Sequence, residues 1–151
     1  MKTSEPILFD TNVLVYNQDQ DSKFFAQAAV YHDKALSGKI NAMVSSQNLL
    51  ELVAVITNPG RITRPLTQKQ VSLEVEKYLS SSSFTVIYPN DQTMTFFTKL
   101  LKRYRLKNSR QTFDLLLVAT MLSNGIRKIL TANIQDFKLF KEINVVNLYL
   151  E

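Results

Sequence analysis

The chain has 151 residues, of which 45% are hydrophobic and 21% are charged, a composition typical of a globular protein. The absence of cysteine excludes disulfides and thiolate metal sites, and no apolar run approaches the length of a membrane span. The net charge of +5 favours an anionic partner no more strongly than it favours a simple role in solubility. We therefore expect one domain over residues 1–151, located in the cytoplasm and without contact to a membrane.

Apolar patterning and capping residues predict alternating strands and helices in the first half of the chain. The expected elements are a strand at 7–9, a turn or short helix at 12–16, a helix from Asp21 or Ser22 to about 36, a strand at 40–44 and a helix at 47–57 capped by Ser45 or Ser46.

The second half continues the same alternation. The expected elements are a helix at 67–79, a strand at 84–88, a helix from Asn90 or Asp91 to about 104, an apolar helix at 113–123, a strand at 129–131, a helical turn at 136–141 and a strand at 143–150. Alternation of this kind predicts an α/β sandwich with a mainly parallel sheet.

A few carboxylates stand within or beside apolar segments. Asp10 directly follows the first strand, and Asp114 falls in the first turn of an apolar helix. Asn133 and Asp136 follow the strand at 129–131. Each has an ordinary structural alternative, because aspartates often cap turns and favour helix N-termini.

Glu51 lies in the segment Leu49–Ile56, which is apolar nearly all round and is expected to be buried on most sides. A buried carboxylate is costly unless it is paired, protonated or bound to a cation. The structural alternative here is a salt bridge to a lysine or arginine elsewhere in the chain.

Residues that follow parallel strands meet at one edge of the sheet, so these carboxylates are expected to converge. Several carboxylates at one edge repel each other unless a cation neutralises them. Oxygen ligands suit Mg²⁺ or Mn²⁺, and a chain with one histidine and no cysteine argues against zinc. Metals held in this way polarise a phosphoryl oxygen and activate water for in-line attack.

These motifs resemble those of the PIN domain family, and within it the VapC-type toxin ribonucleases of toxin–antitoxin pairs. The resemblance covers essentially the whole chain, in the order Phe9-Asp10-Thr11-Asn12, Asn48-Leu49-Leu50-Glu51, Phe113-Asp114 and Thr131-Ala132-Asn133-Ile134-Gln135-Asp136-Phe137. It implies a three-layer α/β/α fold and metal-dependent endoribonuclease activity on RNA. It also implies a homodimer and a cognate antitoxin.

Carried over by position, the resemblance implies an acidic quartet that binds Mg²⁺ or Mn²⁺: Asp10, Glu51, Asp114 and Asp136. Asn133 stands where some members have an acid, and either Asn133 or Asp136 could complete the site; we favour Asp136, with Asn133 assisting. Thr11 and Asn12 would line the pocket, and Thr131 would support it.

Basic residues gather just before Asp114, including Lys107 and Arg110, and suit contact with a phosphate backbone. The alternative is a solvated helix end, where cations favour the C-terminal dipole. Arg61 and Arg64 form a smaller candidate patch.

Two other functions remain open from the sequence. The first is a non-catalytic PIN domain that binds RNA or a protein partner. The second is a phosphatase of the haloacid dehalogenase type. The segment Ile7–Asp10 resembles the strand that carries the nucleophile in that family. That family has a second aspartate two residues after the first, where this chain has Asn12.

Overall fold

The computed structural model describes residues 4–149, which form a five-stranded parallel sheet flanked by helices. The alternation expected from the sequence is confirmed. The strands are β1 (Pro6–Phe9), β2 (Asn41–Ser45), β3 (Phe84–Ile87), β4 (Lys128–Thr131) and β5 (Asn144–Asn147). The helices are α1 (Thr11–Gln18), α2 (Phe25–Leu36), α3 (Ser46–Ile56), α4 (Gln68–Ser80), α5 (Thr93–Arg103), α6 (Gln111–Ser123) and α7 (Ile134–Phe137).

The strand order is β3-β2-β1-β4-β5, and all four pairings are parallel. The chain builds outward from β1 through β2 to β3, then returns to the other side of β1 as β4. The order of the strands therefore reverses between β1 and β4. In open parallel sheets a crevice forms at such a reversal, outside the carboxyl ends of the strands.

Alternating side chains of β1 point into two separate cores, which places a helical layer on each face of the sheet. Ile7 and Phe9 pack in a cluster with residues of α1 to α4, whereas Leu8 packs in a second cluster with residues of α5 to α7. The three-layer α/β/α architecture is thus confirmed. No helix within residues 4–149 combines the length and apolar character that crossing a membrane requires.

Capping explains several helix boundaries. Ser45 and Thr67 each accept a hydrogen bond from the backbone three residues on and form complete capping boxes, which fixes the starts of α3 and α4. The predicted starts of α2 and α5 were too early. The Ser22 side chain accepts from the backbone of Phe24, and that of Asn90 accepts from the backbone of Gln92, so these residues form turns before each helix begins.

Two predicted elements near the C-terminus were also misplaced. The short helix α7 begins at Ile134, two residues before the predicted turn, because the backbone of Asp136 already bonds to the carbonyl of Asn133. Strand β5 ends at Asn147, and Leu150 at the predicted end of this strand lies outside the described residues.

Candidate active site

A cleft of about 550 Å³ opens at the carboxyl edge of the sheet, beside the reversal between β1 and β4. The cleft is lined by all five residues that were predicted to form the catalytic site: Asp10, Glu51, Asp114, Asn133 and Asp136. These residues come from four separate parts of the chain. The parallel topology gathers them because β1 and β4 end side by side, and α3 and α6 start at the same edge.

Asp10 is the most deeply placed carboxylate of the cleft, with 7% of its surface exposed. One oxygen accepts from the backbone N–H of Thr11 at 2.8 Å, and so Asp10 also caps α1. The other oxygen accepts from the Thr131 hydroxyl at 2.7 Å and from the Asn12 amide at 3.1 Å. Asp10 therefore both caps α1 and presents its carboxylate to the cleft.

Glu51 is held by two donors on opposite sides. The Thr11 hydroxyl donates to one carboxylate oxygen at 2.7 Å, and the Gln47 amide donates to the other at 3.0 Å. Among residues 4–149, no lysine or arginine pairs with Glu51, so the salt-bridge alternative is not supported there.

The expectation that the helix carrying Glu51 is buried on most sides was wrong. Leu50 is 72% exposed, and Glu51 itself is only partly buried. The apolar residues of α3 that reach the core, Leu49, Leu52 and Ile56, lie on one face. The side chain of Glu51 therefore lines the cleft and is not enclosed by the apolar core.

Asp114 and Asp136 are the loosely held carboxylates of the cleft. Asp114 lies in the first turn of α6 and Asp136 lies in α7, and both are partly buried. In the described part of the chain, neither side chain has a hydrogen bond or an ion pair. Both can therefore change rotamer without breaking a side-chain hydrogen bond or ion pair.

The carboxylates oppose one another's ionisation. Burial raises the pKa of Asp10 to about 6, and the nearby charges of Glu51 and Asp136 add to this rise while the Thr131 hydrogen bond opposes it. Burial also raises the pKa of Asp114 to about 6, and the charges of Asp136, Asp10 and Glu51 raise it further. The cleft thus gathers several carboxylates, and the hydrogen bonds to Asp10 stabilise its charged form only in part.

The donors of the cleft fit a hard divalent cation by their chemistry. They are carboxylate oxygens with the amide of Asn133 beside them, which suits Mg²⁺ or Mn²⁺ rather than zinc. Within residues 4–149, no three acidic or histidine side chains are arranged to enclose a cation as they stand. A cation at this place would therefore require movement of the loosely held side chains, Asp114 and Asp136.

The four residues predicted to bind substrate fall into two groups. Thr11 and Asn12 line the cleft, but their polar atoms bond to neighbouring protein groups, including Asn48 for Thr11 and the backbone of Ala132 for Asn12. Lys107 and Arg110 are exposed on the segment before α6 and are not part of the cleft lining.

Three residues of the site were not assigned to it from the sequence. Arg61 and Tyr16 both line the cleft, although Arg61 had been noted only as part of a small basic patch. Gln47 donates to the Phe113 carbonyl at 3.1 Å as well as to Glu51, and so connects α3 to the first turn of α6. Its spacing of four residues before Glu51 on a helix was an available signal.

The fold and the cleft define a class of three-layer α/β proteins with an acidic crevice at the reversal of a parallel sheet. The family model of the PIN domain matches residues 7–143, and the chain belongs to the PIN domain family. This membership removes the haloacid dehalogenase interpretation.

Individual relatives agree with the family. The chain is 27% identical over 131 residues to Ribonuclease VapC24 of Mycobacterium tuberculosis, covering 87% of this chain and 88% of the relative. The VapBC2 complex of Rickettsia felis, solved bound to a promoter DNA fragment, has a chain that matches with a TM-score of 0.65 at 16% identity, over 94% of this chain and 98% of its own length. VapC20 of Mycobacterium tuberculosis, described as a toxin that cleaves the sarcin–ricin loop, matches with a TM-score of 0.57 at 14% identity, over 82% and 86% of the two chains. These structural similarities concern the fold.

Proposed function

We propose that this protein is a metal-dependent endoribonuclease that hydrolyses phosphodiester bonds of RNA, and that it is the toxin of a type II toxin–antitoxin pair acting in the cytoplasm. The observation that carries the proposal is the convergence of four carboxylates in one cleft, with the pKa of both Asp10 and Asp114 raised to about 6. Strongly perturbed carboxyl groups gathered in a cleft are typical of functional sites.

In this proposal Asp10 and Asp114 hold the cation directly, and Glu51 and Asp136 complete the ligand set or orient the attacking water. Asn133 assists at the rim of the cleft. A bound Mg²⁺ or Mn²⁺ would supply charge neutralisation, polarisation of a phosphoryl oxygen and activation of water. The donor set supports this assignment because every candidate ligand presents oxygen.

The residues around the carboxylates keep the site in place. Thr131 and Asn12 fix the oxygen of Asp10 that faces the end of β4, and Thr11 links Asp10 to Glu51 through its backbone and its hydroxyl. Arg61 in the cleft lining can contact a phosphate of the substrate, which an acidic cleft alone would repel. The protein's contribution is thus orientation and charge balance.

The relatives support the assignment of partners. Ribonuclease VapC24 covers most of this chain, the Rickettsia felis match is a chain of VapBC2, and another structural match is described as a toxin–antitoxin complex from Klebsiella pneumoniae. All three matches extend over most of each chain, so the analogy applies to the whole domain rather than to one motif. By this analogy we propose a cognate antitoxin, and the resemblance to the VapC-type toxins extends the proposal to a homodimer.

Cleavage of total cellular RNA by the purified protein tests the proposal. We expect discrete fragments from the wild type with Mg²⁺ or Mn²⁺, none with EDTA and none from Asp10→Asn. We expect Asp114→Asn to be inactive as well, and because the Asp114 side chain makes no hydrogen bond within residues 4–149, this variant should remain folded, which its far-UV circular dichroism checks. Equal cleavage by wild type and both variants would refute the proposal.

One observation favours a second candidate, a non-catalytic PIN domain that binds RNA or a protein. No three acidic or histidine side chains within residues 4–149 are arranged to hold a cation as they stand. The two candidates differ in metal-linked stability, because a working site gains stability with cation concentration by mass action. A melting temperature that Mn²⁺ leaves unchanged, together with no cleavage, would favour the second candidate.

A further inference from the structure

Three aromatic rings contact one another in series, and the first of them lines the acidic cleft. Tyr16 lines the cleft, and its ring centroid lies 5.0 Å from that of Phe24. The Phe24 centroid in turn lies 4.4 Å from that of Tyr149, with the two rings tilted by 40°. We call Tyr16, Phe24 and Tyr149 the aromatic shelf.

The topology places this shelf at the edge of the sheet where the cleft opens. Tyr16 is on α1, which starts directly after Asp10, and Tyr149 follows the carboxyl end of β5. The backbone N–H of Leu148 donates to the carbonyl of Thr131 at 2.9 Å, so the chain beyond β5 stays beside the end of β4. The shelf and the carboxylates are therefore neighbouring parts of one surface.

Core packing does not account for the whole shelf. Tyr16 packs partly against the core cluster, but Phe24 and Tyr149 belong to neither cluster. Tyr149 is 40% exposed. The pKa of Tyr16 is raised by burial and then by its neighbour Tyr149, which agrees with close contact between the two phenols. Tyr149 thus presents aromatic surface to solvent, and the partly buried Phe24 contacts both Tyr149 and the cleft-lining Tyr16.

Cations flank the shelf. The Lys23 ammonium lies 4.9 Å from the Phe24 centroid, and Arg61 lines the same cleft as Tyr16. Arg64 pairs with Asp21 at 3.2 Å, which ties the loop that carries Arg61 to the segment before Phe24. Aromatic surface with interleaved cations is how proteins bind single-stranded nucleic acid, since rings stack on bases and cations contact phosphates.

We propose that the aromatic shelf is a subsite that stacks a nucleobase of single-stranded RNA beside the scissile phosphodiester, with Lys23 and Arg61 contacting the flanking phosphates. This inference rests on the proposed ribonuclease function, because that function places an RNA backbone in the adjoining cleft. A protein segment is the alternative occupant of the shelf. The cations Lys23 and Arg61 favour RNA, because an RNA strand always carries phosphates whereas a protein segment need not carry negative charge.

A fluorescence titration tests base stacking directly and does not depend on cleavage. The chain contains no tryptophan, so Tyr149→Trp introduces a single reporter at the shelf. The titration uses the Asp10→Asn variant without metal, so that the RNA is not cleaved. We expect an oligoadenylate of eight nucleotides to quench the tryptophan fluorescence. An abasic oligonucleotide of equal length should leave the fluorescence nearly unchanged. Equal responses to both oligomers, or no response to either, would overturn the subsite.

Cleavage kinetics provide the second test, with a matched control on another exposed tyrosine. We expect Tyr149→Leu to lower kcat/KM on single-stranded RNA roughly 10-fold, mainly through KM, and Tyr149→Phe to retain activity because it keeps the ring. Tyr88, which is 52% exposed and outside the cleft lining, supplies the control Tyr88→Leu. If the wild type cleaves RNA and Tyr149→Leu matches this control, the subsite fails while the ribonuclease function stands. If the wild type does not cleave at all, it is the proposed function that fails.

Discussion

The hydroxyl of Thr131 donates a 2.7 Å hydrogen bond to the carboxylate of Asp10, across 121 residues of sequence. The two residues lie at the ends of β4 and β1, the neighbouring strands between which the order of the sheet reverses. This bond lowers the pKa of Asp10 while burial raises it. The hydrogen bond between Thr131 and Asp10 thus connects the two halves of the sheet and also helps to keep the Asp10 carboxylate ionised.

Thr131→Val keeps the shape of the side chain and removes this hydrogen bond. Without it the pKa of Asp10 rises further, so we expect the acid limb of the kcat/KM profile to move to higher pH. The free energy of unfolding should fall by about 1–2 kcal/mol, since the backbone N–H of Asn133 also loses its acceptor. Thr120→Val, a buried threonine on α6, is the control. An unmoved acid limb would contradict the assignment.

The stability of the metal-free protein should fall as the pH rises from about 4 to about 6. The folded-state pKa of Asp114 is about 6, above the unfolded value, so the folded protein binds more protons in this window. We expect Asp114→Asn in EDTA to be more stable than wild type at pH 7.5 by about 1 kcal/mol, after allowing for solvent screening of a partly exposed group. At pH 4 the two should be nearly equal.

Urea denaturation at both pH values measures this difference. Asp91→Asn is the matched control, because Asp91 is exposed and lies outside the cleft lining. If Asp114→Asn is less stable than wild type at pH 7.5, the carboxylates of the cleft do not repel one another as described.

Gln47 is expected to act as a positioning residue. Its amide group donates to Glu51 and to the carbonyl of Phe113, the residue before Asp114, while its own side-chain oxygen is buried and has no hydrogen-bond partner among residues 4–149. Gln47→Leu should therefore lower kcat roughly 3–10-fold with little change in KM, because Glu51 loses its orientation. Stability should change little, because the substitution also removes an unsatisfied buried oxygen.

The matched control for this prediction is Gln68→Leu. Gln68 is an exposed glutamine at the start of α4 and lies outside the cleft lining, so its replacement should leave kcat unchanged. A kcat for Gln47→Leu equal to that of this control would refute the positioning role.

Arg61 and Arg110 can be compared as phosphate contacts. Arg61 lines the cleft whereas Arg110 does not, so Arg61→Ala should weaken RNA binding several-fold for every sequence and reduce the salt slope by about 1. Contact between RNA and Lys107 or Arg110 remains a prediction from the sequence. Binding to Asp10→Asn at several salt concentrations distinguishes these cases. A larger effect of Arg110→Ala than of Arg61→Ala would place the substrate on the segment before α6.

The sequence was sufficient to predict the parallel three-layer fold and the residues that converge. Asp10 and Asn133 follow strands, and in a parallel sheet such residues must meet at one edge. The role of Arg61 could not be predicted in this way, because it lies in a loop whose direction depends on tertiary packing. The burial of α3 was overestimated for a related reason. An apolar residue such as Leu50 need not face the core, and composition alone does not reveal that it is 72% exposed.

The proposed function requires that the acidic cleft bind a divalent cation. Calorimetric titration of Mn²⁺ into the wild type and into Asp114→Asn at pH 7.5 measures this binding. The side chain of Asp114 has no hydrogen bond or ion pair within residues 4–149, so its replacement should leave the fold intact. We predict saturable binding by the wild type and at least 10-fold weaker binding by the variant. Absence of binding to the wild type, or equal binding by both proteins, would contradict the account.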